Sequence, residues 1–211
     1  YLAYGATNLS GRVYNAKGNA EHFILVKSDA DITSLRVVAC EVSCSGAGSL
    51  ISAPIGSNIS NSSIVGNKLS CVANTAITSA VPIELSSCLN VNVESNVITS
   101  TGYDIVLYLD SSYTTKIVNN SVFNIANTNS VKNLAYFAGG SHSDLYVAGN
   151  TLNLNVQPAN IAGNAGSSVI LFGVGSPLFD VRVVGNSLST STLCDASLIT
   201  VDSVGASRLR I

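Results

Sequence analysis

The sequence predicts an all-β fold: a right-handed parallel β-helix, which is a solenoid of about six to seven coils with three short strands in each coil. Two observations predict it. The chain is rich in Val, Ile, Thr, Ser, Asn and Gly, has no Met or Trp, and only 10% of its 211 residues are charged, which favours pleated strands over helices. A short pattern, V-x-x-N-x-L, also recurs at intervals of 24 to 36 residues.

The recurring residue of this pattern is an asparagine, and we call its place in each repeat the slot. The slot is occupied by Cys40, Asn67, Asn96, Asn120, Asn150 and Asn186. Aliphatic residues stand three places before it, at Val37, Ile64, Val93, Ile117, Val147 and Val183. Others stand two places after it, at Val42, Leu69, Ile98, Val122, Leu152 and Leu188. This alternation predicts one strand that enters the slot and one that leaves it, each with one buried face.

A third apolar stretch lies upstream of the slot in every repeat. These stretches are FILV at 23–26, SLIS at 49–52, PIEL at 82–85, DIVLYL at 104–109, NLAYF at 133–137, SVILF at 168–172 and SLITV at 197–201. A turn rich in Ser, Gly, Asp and Asn separates each stretch from the next strand. Because three short strands cannot bury their apolar faces within one repeat, we expect the repeats to stack in parallel, about 4.8 Å apart. The usual handedness of parallel connections predicts right-handed coiling.

The repeats also set the expected domain organisation. Residues 1–22 are expected to be an introductory segment or a partial coil, and residues 23–211 the coils. Leu209 and Ile211 match the places five and three before a slot, so we expect the solenoid to continue beyond residue 211. No apolar run approaches the roughly 18 residues of a membrane span. The net charge of −2 and the scattered basic residues argue against a nucleic-acid partner.

We expect the slot asparagines to point inward and to form a ladder, in which each side-chain amide bonds to its counterparts in the coils above and below. Such a ladder satisfies buried polar groups that would otherwise cost about 1–3 kcal/mol each. The alternative is a row of amides that binds sugars or ions. The aliphatic residues on both sides of the slot favour the structural interpretation.

The cysteines predict one pair. Cys44 and Cys71 both stand four places after the slot in consecutive repeats, so stacking brings their backbones to about 4.8 Å, a separation that a disulfide accepts. We expect either a disulfide or a close stacked pair there. Cys40, Cys88 and Cys194 show no such partner and are expected to be small buried hydrophobic residues.

Four Asn-x-Ser/Thr sequons are candidate N-glycosylation sites, at Asn8, Asn58, Asn61 and Asn119. Asn119 directly precedes the slot residue Asn120. Because the slot side chain is expected to point inward, the Asn119 side chain is expected to point outward.

No catalytic group, metal site or cofactor is predicted. The acidic candidates are Asp29 with Asp31, Asp104 with Asp110, and the isolated Asp144, Asp180, Asp195 and Asp202. The DAD segment at 29–31 could contribute to a calcium site, which needs six to eight oxygens, but a lone acidic pair in a turn is expected to be simply solvated. His142, in GGSHSDL, is expected to be a loop histidine without a role. Zinc-type cysteine spacing and a lysine-bearing phosphate loop are both lacking.

The stacked V-x-x-N-x-L repeats resemble those of the right-handed parallel β-helix superfamily, the pectin-lyase-like fold, over roughly residues 23–211. The Ser- and Asn-rich composition without Met or Trp also resembles very large surface glycoproteins of eukaryotic microbes, including the trypanosomatid dispersed gene family. The catalytic residues of the enzyme families have no equivalents here. The Asn-Thr-Asp run and Gly-His-Gly of polygalacturonases are missing, as is the pectate-lyase pattern of an arginine beside calcium-binding aspartates.

We therefore expect a non-enzymatic structural or adhesive segment of an extracellular or cell-surface glycoprotein. Its expected partners are neighbouring coils, copies of itself in a filament, or carbohydrate. The alternative is a carbohydrate-active β-helix enzyme, a tailspike-like depolymerase or a polysaccharide-binding module. Its acids would be drawn from Asp104, Asp110, Asp144 and Asp180.

Overall fold

The structure is a computed structural model that describes residues 2–3, 12–14, 17–19, 23–26, 30–45, 49–77, 81–103, 105–126, 133–156, 167–173, 177–190, 197–201 and 206–211. Within these ranges every regular element is a β-strand, so the all-β class is confirmed for this part of the chain. The described residues include no helix that could span a membrane.

The described strands, numbered in chain order, are between two and fifteen residues long. They are β1 (Leu2–Ala3), β2 (Arg12–Tyr14), β3 (Lys17–Asn19), β4 (Ile24–Val26), β5 (Asp31–Thr33), β6 (Arg36–Val38), β7 (Glu41–Ser45), β8 (Ile51–Val65), β9 (Lys68–Ile77), β10 (Ile83–Glu94), β11 (Val97–Tyr103), β12 (Ile105–Tyr113), β13 (Lys116–Val118), β14 (Ser121–Ala126), β15 (Asn133–Phe137), β16 (His142–Ser143), β17 (Tyr146–Ala148), β18 (Thr151–Val156), β19 (Ser168–Phe172), β20 (Leu178–Phe179), β21 (Arg182–Val184), β22 (Ser187–Thr190), β23 (Ser197–Val201) and β24 (Ala206–Ser207).

All pairings among the described strands are parallel and join consecutive repeats, which gives a solenoid-like stack of four rows. Row 1 contains β1, β4, β15, β19, β23 and the first parts of β8, β10 and β12. Row 2 contains β5, β16, β20, β24, the middle of β8 and β10 and the end of β12. Row 3 contains β2, β6, β13, β17, β21 and the ends of β8 and β10. Row 4, from β3 to β22, is a separate seven-stranded sheet, whereas rows 1 to 3 share one seventeen-stranded sheet.

The four rows differ from the expected three strands in each coil. Row 2 lies where the sequence suggests only a turn between the upstream apolar stretch and the strand that enters the slot. The strands β1, β2 and β3, within residues 1–22, pair in the same parallel register as later repeats.

The core lies between the rows, and the predicted aliphatic positions form its columns. Val37, Ile64, Val93, Ile117, Val147 and Val183 pair in register along row 3, and all six are buried. The column two places after the slot is buried from Val42 to Leu152, and Leu188 is partly buried. Phe137 and Phe172 stack at 4.9 Å between ring centroids and extend the core in row 1.

Two sharp bends flank row 3, and both use a left-handed backbone that side-chain-bearing residues rarely adopt. The second bend directly precedes the slot, with φ between 53° and 65° at Ala39, Gly66, Ser95, Asn119, Gly149 and Gly185. The first bend lies five residues earlier, with φ between 49° and 62° at Ser34, Asn61, Asn90, Thr114, Asp144, Asp180 and Arg208. The second bend turns the chain so that the slot side chain is directed into the stack.

Candidate functional site

The slot asparagines form a continuous hydrogen-bonded column. Asn67 Nδ2 donates to Asn96 Oδ1 at 2.8 Å, and the same contact at 2.9 Å links each further pair as far as Asn186. Each Oδ1 also accepts the backbone N–H of the preceding slot residue at 2.9–3.1 Å, beginning with Cys40. The second amide hydrogen goes to the carbonyl three places before the preceding slot, such as Val37 O, at 2.8–3.0 Å.

This geometry gives the column a structural role. Asn67, Asn96, Asn120 and Asn150 are at most 2% exposed, and their amides are fully used by neighbouring repeats. Asn186 is half-buried. An amide whose donors and acceptor are all occupied inside the protein has nothing left to offer a ligand. The column therefore joins repeats, as the ladder hypothesis predicts.

The described acidic candidates lie at three different positions of the repeat, and Asp31 is half-buried in β5 of row 2. Asp110 is half-buried in β12, whereas Asp144 and Asp180 both occupy the first bend of consecutive repeats. Asp180 Oδ2 pairs with Arg208 Nη2 at 2.7 Å. The other candidates, Asp29, Asp104, Asp195 and Asp202, lie outside the described residues. Within the described part of the chain, no group of three or more His, Cys, Asp or Glu side chains is placed to hold a metal ion.

An open groove of about 550 Å³ crosses row 2 over four consecutive repeats. One rim is the register column Asp31, Asn58, Ser87 and Ser111, and the other is Thr33, Ser60, Leu89 and Tyr113. Asn58 Nδ2 donates to Asp31 Oδ1 at 2.7 Å. Tyr113 is 41% exposed. Hydroxyls, an amide and a carboxylate beside an exposed aromatic ring match the hydroxyl-rich and apolar faces of a sugar.

A second polar group, which sequence reasoning missed, lies on the outer side of row 1. Glu84, Tyr108 and Tyr136 are register partners in consecutive repeats, and the two tyrosine rings meet edge to face at 5.7 Å. Burial raises the pKa of Tyr108, and the charge of Asp110 adds to the rise. Ser52 Oγ donates to Glu84 Oε2 at 2.7 Å. Aligning PIEL, DIVLYL and NLAYF by their strands could have shown this column in the sequence.

The cysteine register matches the predicted pair. Cys44 on β7 and Cys71 on β9 are direct partners in the parallel pairing. The Cys44 side chain lies outside the described residues, so the bridge stays a prediction, which thiol alkylation of unreduced protein would test. Cys40 and Cys88 are buried, as expected, and burial raises the pKa of the Cys88 thiol to about 12. Cys194 lies outside the described residues.

Three of the four sequon asparagines, Asn58, Asn61 and Asn119, are exposed in the structure. Asn61 Oδ1 accepts a hydrogen bond from Asn90 Nδ2 at 2.8 Å between two first bends. Asn8 lies outside the described residues. Glycosylation at these four asparagines stays a prediction.

His142 is not the loop histidine that its neighbours suggest. It is fully buried in β16, where its Nε2 atom lies 2.8 Å from Ala138 O. Its ring packs edge to face on Phe137 at 5.2 Å. Burial lowers the pKa of this imidazole. The glycines and serines around it indicated a loop, but the pairing of β16 with β12 directs the side chain into the core.

No protein-family model matches the chain, and no curated protein or solved structure matches it either. The resemblance to pectin-lyase-like repeats and to trypanosomatid surface glycoproteins therefore depends on the sequence pattern and composition alone. Both families stay predictions.

Proposed function

We propose that this chain is a non-enzymatic structural or adhesive segment of an extracellular or cell-surface protein, folded as a right-handed parallel β-helix. The slot column is the observation that supports this most directly. The amides of Asn67, Asn96, Asn120 and Asn150 direct their hydrogen bonds to neighbouring repeats, so the most regular chemistry of the chain stiffens a stack. Asparagine amides that are engaged in these hydrogen bonds are not available for catalysis.

The strand order supports the β-helix part of the proposal. In successive repeats the chain passes through rows 1, 2, 3 and 4 and then returns to row 1 of the next repeat. One such passage is one coil, and a coil that adds a parallel strand to each row is expected to be right-handed. The exposed sequons at Asn61 and Asn119, which lie outside the groove, and the Cys44–Cys71 register support a secreted setting.

The groove in row 2 favours carbohydrate as the adhesive partner. Four stacked repeats span about 14 Å between the first and the last. That length accommodates a short stretch of polysaccharide laid along the stack, with Tyr113 against a sugar face and Asp31 and Ser87 at hydroxyl groups. Copies of the chain itself are the other proposed partner.

Binding and turnover of a panel of acidic and neutral polysaccharides, measured separately on the purified protein, test this proposal. We expect no release of reducing ends or unsaturated products. We also expect at least one polysaccharide to bind, with affinity lowered at least about tenfold by Tyr113→Ala, because stacking on the ring is lost. Tyr146→Ala is the matched control, since Tyr146 packs under Arg182 in row 3, away from the groove.

Two results would contradict the proposal in different ways. Product release that Asp110→Asn or Asp144→Asn abolishes would establish the enzymatic alternative. Equal affinity of wild type and Tyr113→Ala for every polysaccharide that binds would exclude the groove as the binding site. The proposed structural role of the stack would not be affected.

A further inference from the structure

Polar side chains interrupt an otherwise apolar column inside row 2. This column lies eight places before the slot, and its register runs through Ile32, Ile59, Cys88, Ser112, His142 and Leu178. Ser112 and His142 are direct partners in the repeats of Asn120 and Asn150, and both are 0% exposed. A serine and a histidine thus face each other in a core built from aliphatic and aromatic residues.

Each of these two side chains has a polar atom that lacks a hydrogen-bond partner among the described residues: Ser112 Oγ and His142 Nδ1. The other ring nitrogen, Nε2, lies 2.8 Å from Ala138 O, which can only accept. A neutral imidazole therefore has its proton on Nε2 and an open lone pair on Nδ1. Buried polar atoms without a protein partner are usually satisfied by ordered water.

The spacing of the stack suits a single water. Consecutive repeats are about 4.8 Å apart, and Ser112 Oγ and His142 Nδ1 do not hydrogen-bond each other directly. A water that makes two hydrogen bonds of about 2.8 Å at a tetrahedral angle bridges atoms about 4.6 Å apart.

We propose that one buried water bridges Ser112 Oγ and His142 Nδ1, and that proton uptake by His142 at acid pH destabilises the contact between the Asn120 and Asn150 repeats. Protonation puts a hydrogen on Nδ1, which removes the acceptor that the water uses. It also places a positive charge in an apolar part of the core, where charge is poorly solvated.

The surroundings of His142 offer little compensation for that charge. On one side β20 contributes Leu178, which is not titratable, and Phe137 packs against the ring. Burial lowers the pKa of His142 and outweighs the two groups that favour the protonated ring, which are the hydrogen-bonded Ala138 O and the charge of half-buried Asp110 on β12. Among the other titratable groups nearby, Asp144 and Tyr113 are exposed, Asp180 pairs with Arg208, and the Cys88 thiol stays protonated.

The sign of the pH effect follows from this lowered pKa. Above about pH 6.5, the ordinary histidine value, both folded and unfolded chains hold a neutral imidazole, and His142 adds no pH dependence. Below it the unfolded chain takes up a proton first, so stability falls with pH until the folded pKa is reached. The unfolding equilibrium constant should rise up to about tenfold per pH unit in that window, because one proton is bound on unfolding.

Urea unfolding between pH 5 and 8 measures this effect on wild type, His142→Gln and His22→Gln. We expect the rise in the unfolding constant below pH 6.5 to be lost in His142→Gln, which cannot titrate, and kept in the variant of the chain's other histidine. Loss of the effect in His22→Gln alone would overturn the proposal.

Nitrogen-15 NMR of the imidazole tests the water bridge and needs only a conservative variant. We expect a neutral ring with its proton on Nε2 at pH 7, and an Nδ1 resonance that moves in Ser112→Ala because the bridge loses one end. An Nδ1 resonance unchanged in Ser112→Ala would overturn the bridge. A His142 pKa at or above 6.5 would overturn the acid response.

Discussion

Asparagine suits the slot because its amide has two donor hydrogens and an acceptor oxygen with two lone pairs. Asn120 uses all of them: its Oδ1 accepts from Asn96 N and Asn96 Nδ2, and its Nδ2 donates to Asn150 Oδ1 and Val93 O. Cys40 can take the slot only where the column begins, since it supplies a backbone N–H to Asn67 Oδ1 but no amide. A residue with fewer polar atoms inside the column would leave buried amide groups of the neighbouring asparagines without hydrogen-bond partners.

We therefore expect Asn120→Ala to lower the free energy of unfolding by about 1–3 kcal/mol, because four buried hydrogen bonds are lost and partners on both sides stay buried. Urea denaturation measures the change. Asn153→Ala is the control: Asn153 is half-exposed on row 4, and its loss should cost no more than about 0.5 kcal/mol. Equal costs in the two variants would contradict a structural column.

The slot could be predicted from the sequence because its chemistry must be the same in every repeat, with aliphatic residues at fixed distances. His142 could not be placed in the same way. Only its register with Ser112 shows that it is buried, and register depends on bends that the side chains around GGSHSDL do not reveal.

Among the elements, the two bends differ in how far the sequence reveals them. The second bend contains glycine in three of the six repeats, a residue that favours positive φ, as at Gly185. The first bend shares its backbone but not its chemistry, with serine, asparagine, threonine, aspartate and arginine at equivalent places. Row 2 ends at this first bend. Because the residues at the first bend have no chemistry in common, the sequence did not reveal the bend, and it predicted three strands in each coil where the structure has four rows.

The chain between β15 and β16 packs tightly on the preceding repeat, and two adjacent glycines make this testable. A Cβ atom on Gly140 would overlap the Asp110 carbonyl oxygen and Ser111 Oγ, whereas one on Gly139 would meet nothing within 4 Å. We expect Gly140→Ala to destabilise the protein by about 1–3 kcal/mol, because backbone of β12 must shift. Gly139→Ala should change stability by no more than about 0.5 kcal/mol. The midpoints of thermal unfolding of the two variants are compared. Similar midpoints would mean that the backbone of β12 shifts at this contact with little loss of stability.

For the molecule as a whole, the described strand pairings join only consecutive repeats. Stability in such a stack is approximately a sum of repeat terms and nearest-neighbour interfaces. The slot column runs through these interfaces, and each of its amides polarises the next. How far a disturbance spreads along the stack therefore depends on whether the column acts as independent links or as one chain.

Double substitutions decide between these two behaviours. Asn96→Ala and Asn120→Ala each remove the same amide–amide bond, so the double variant should lose less stability than the sum of the two, by at least about 0.5 kcal/mol. Asn67 and Asn150 share no bond and are three repeats apart, about 14 Å, so their costs should add to within about 0.5 kcal/mol. Urea unfolding of the four single and two double variants measures both couplings. Coupling of the distant pair as strong as that of the adjacent pair would show that the column acts as one polarised chain, and a local change would then be felt along the whole stack.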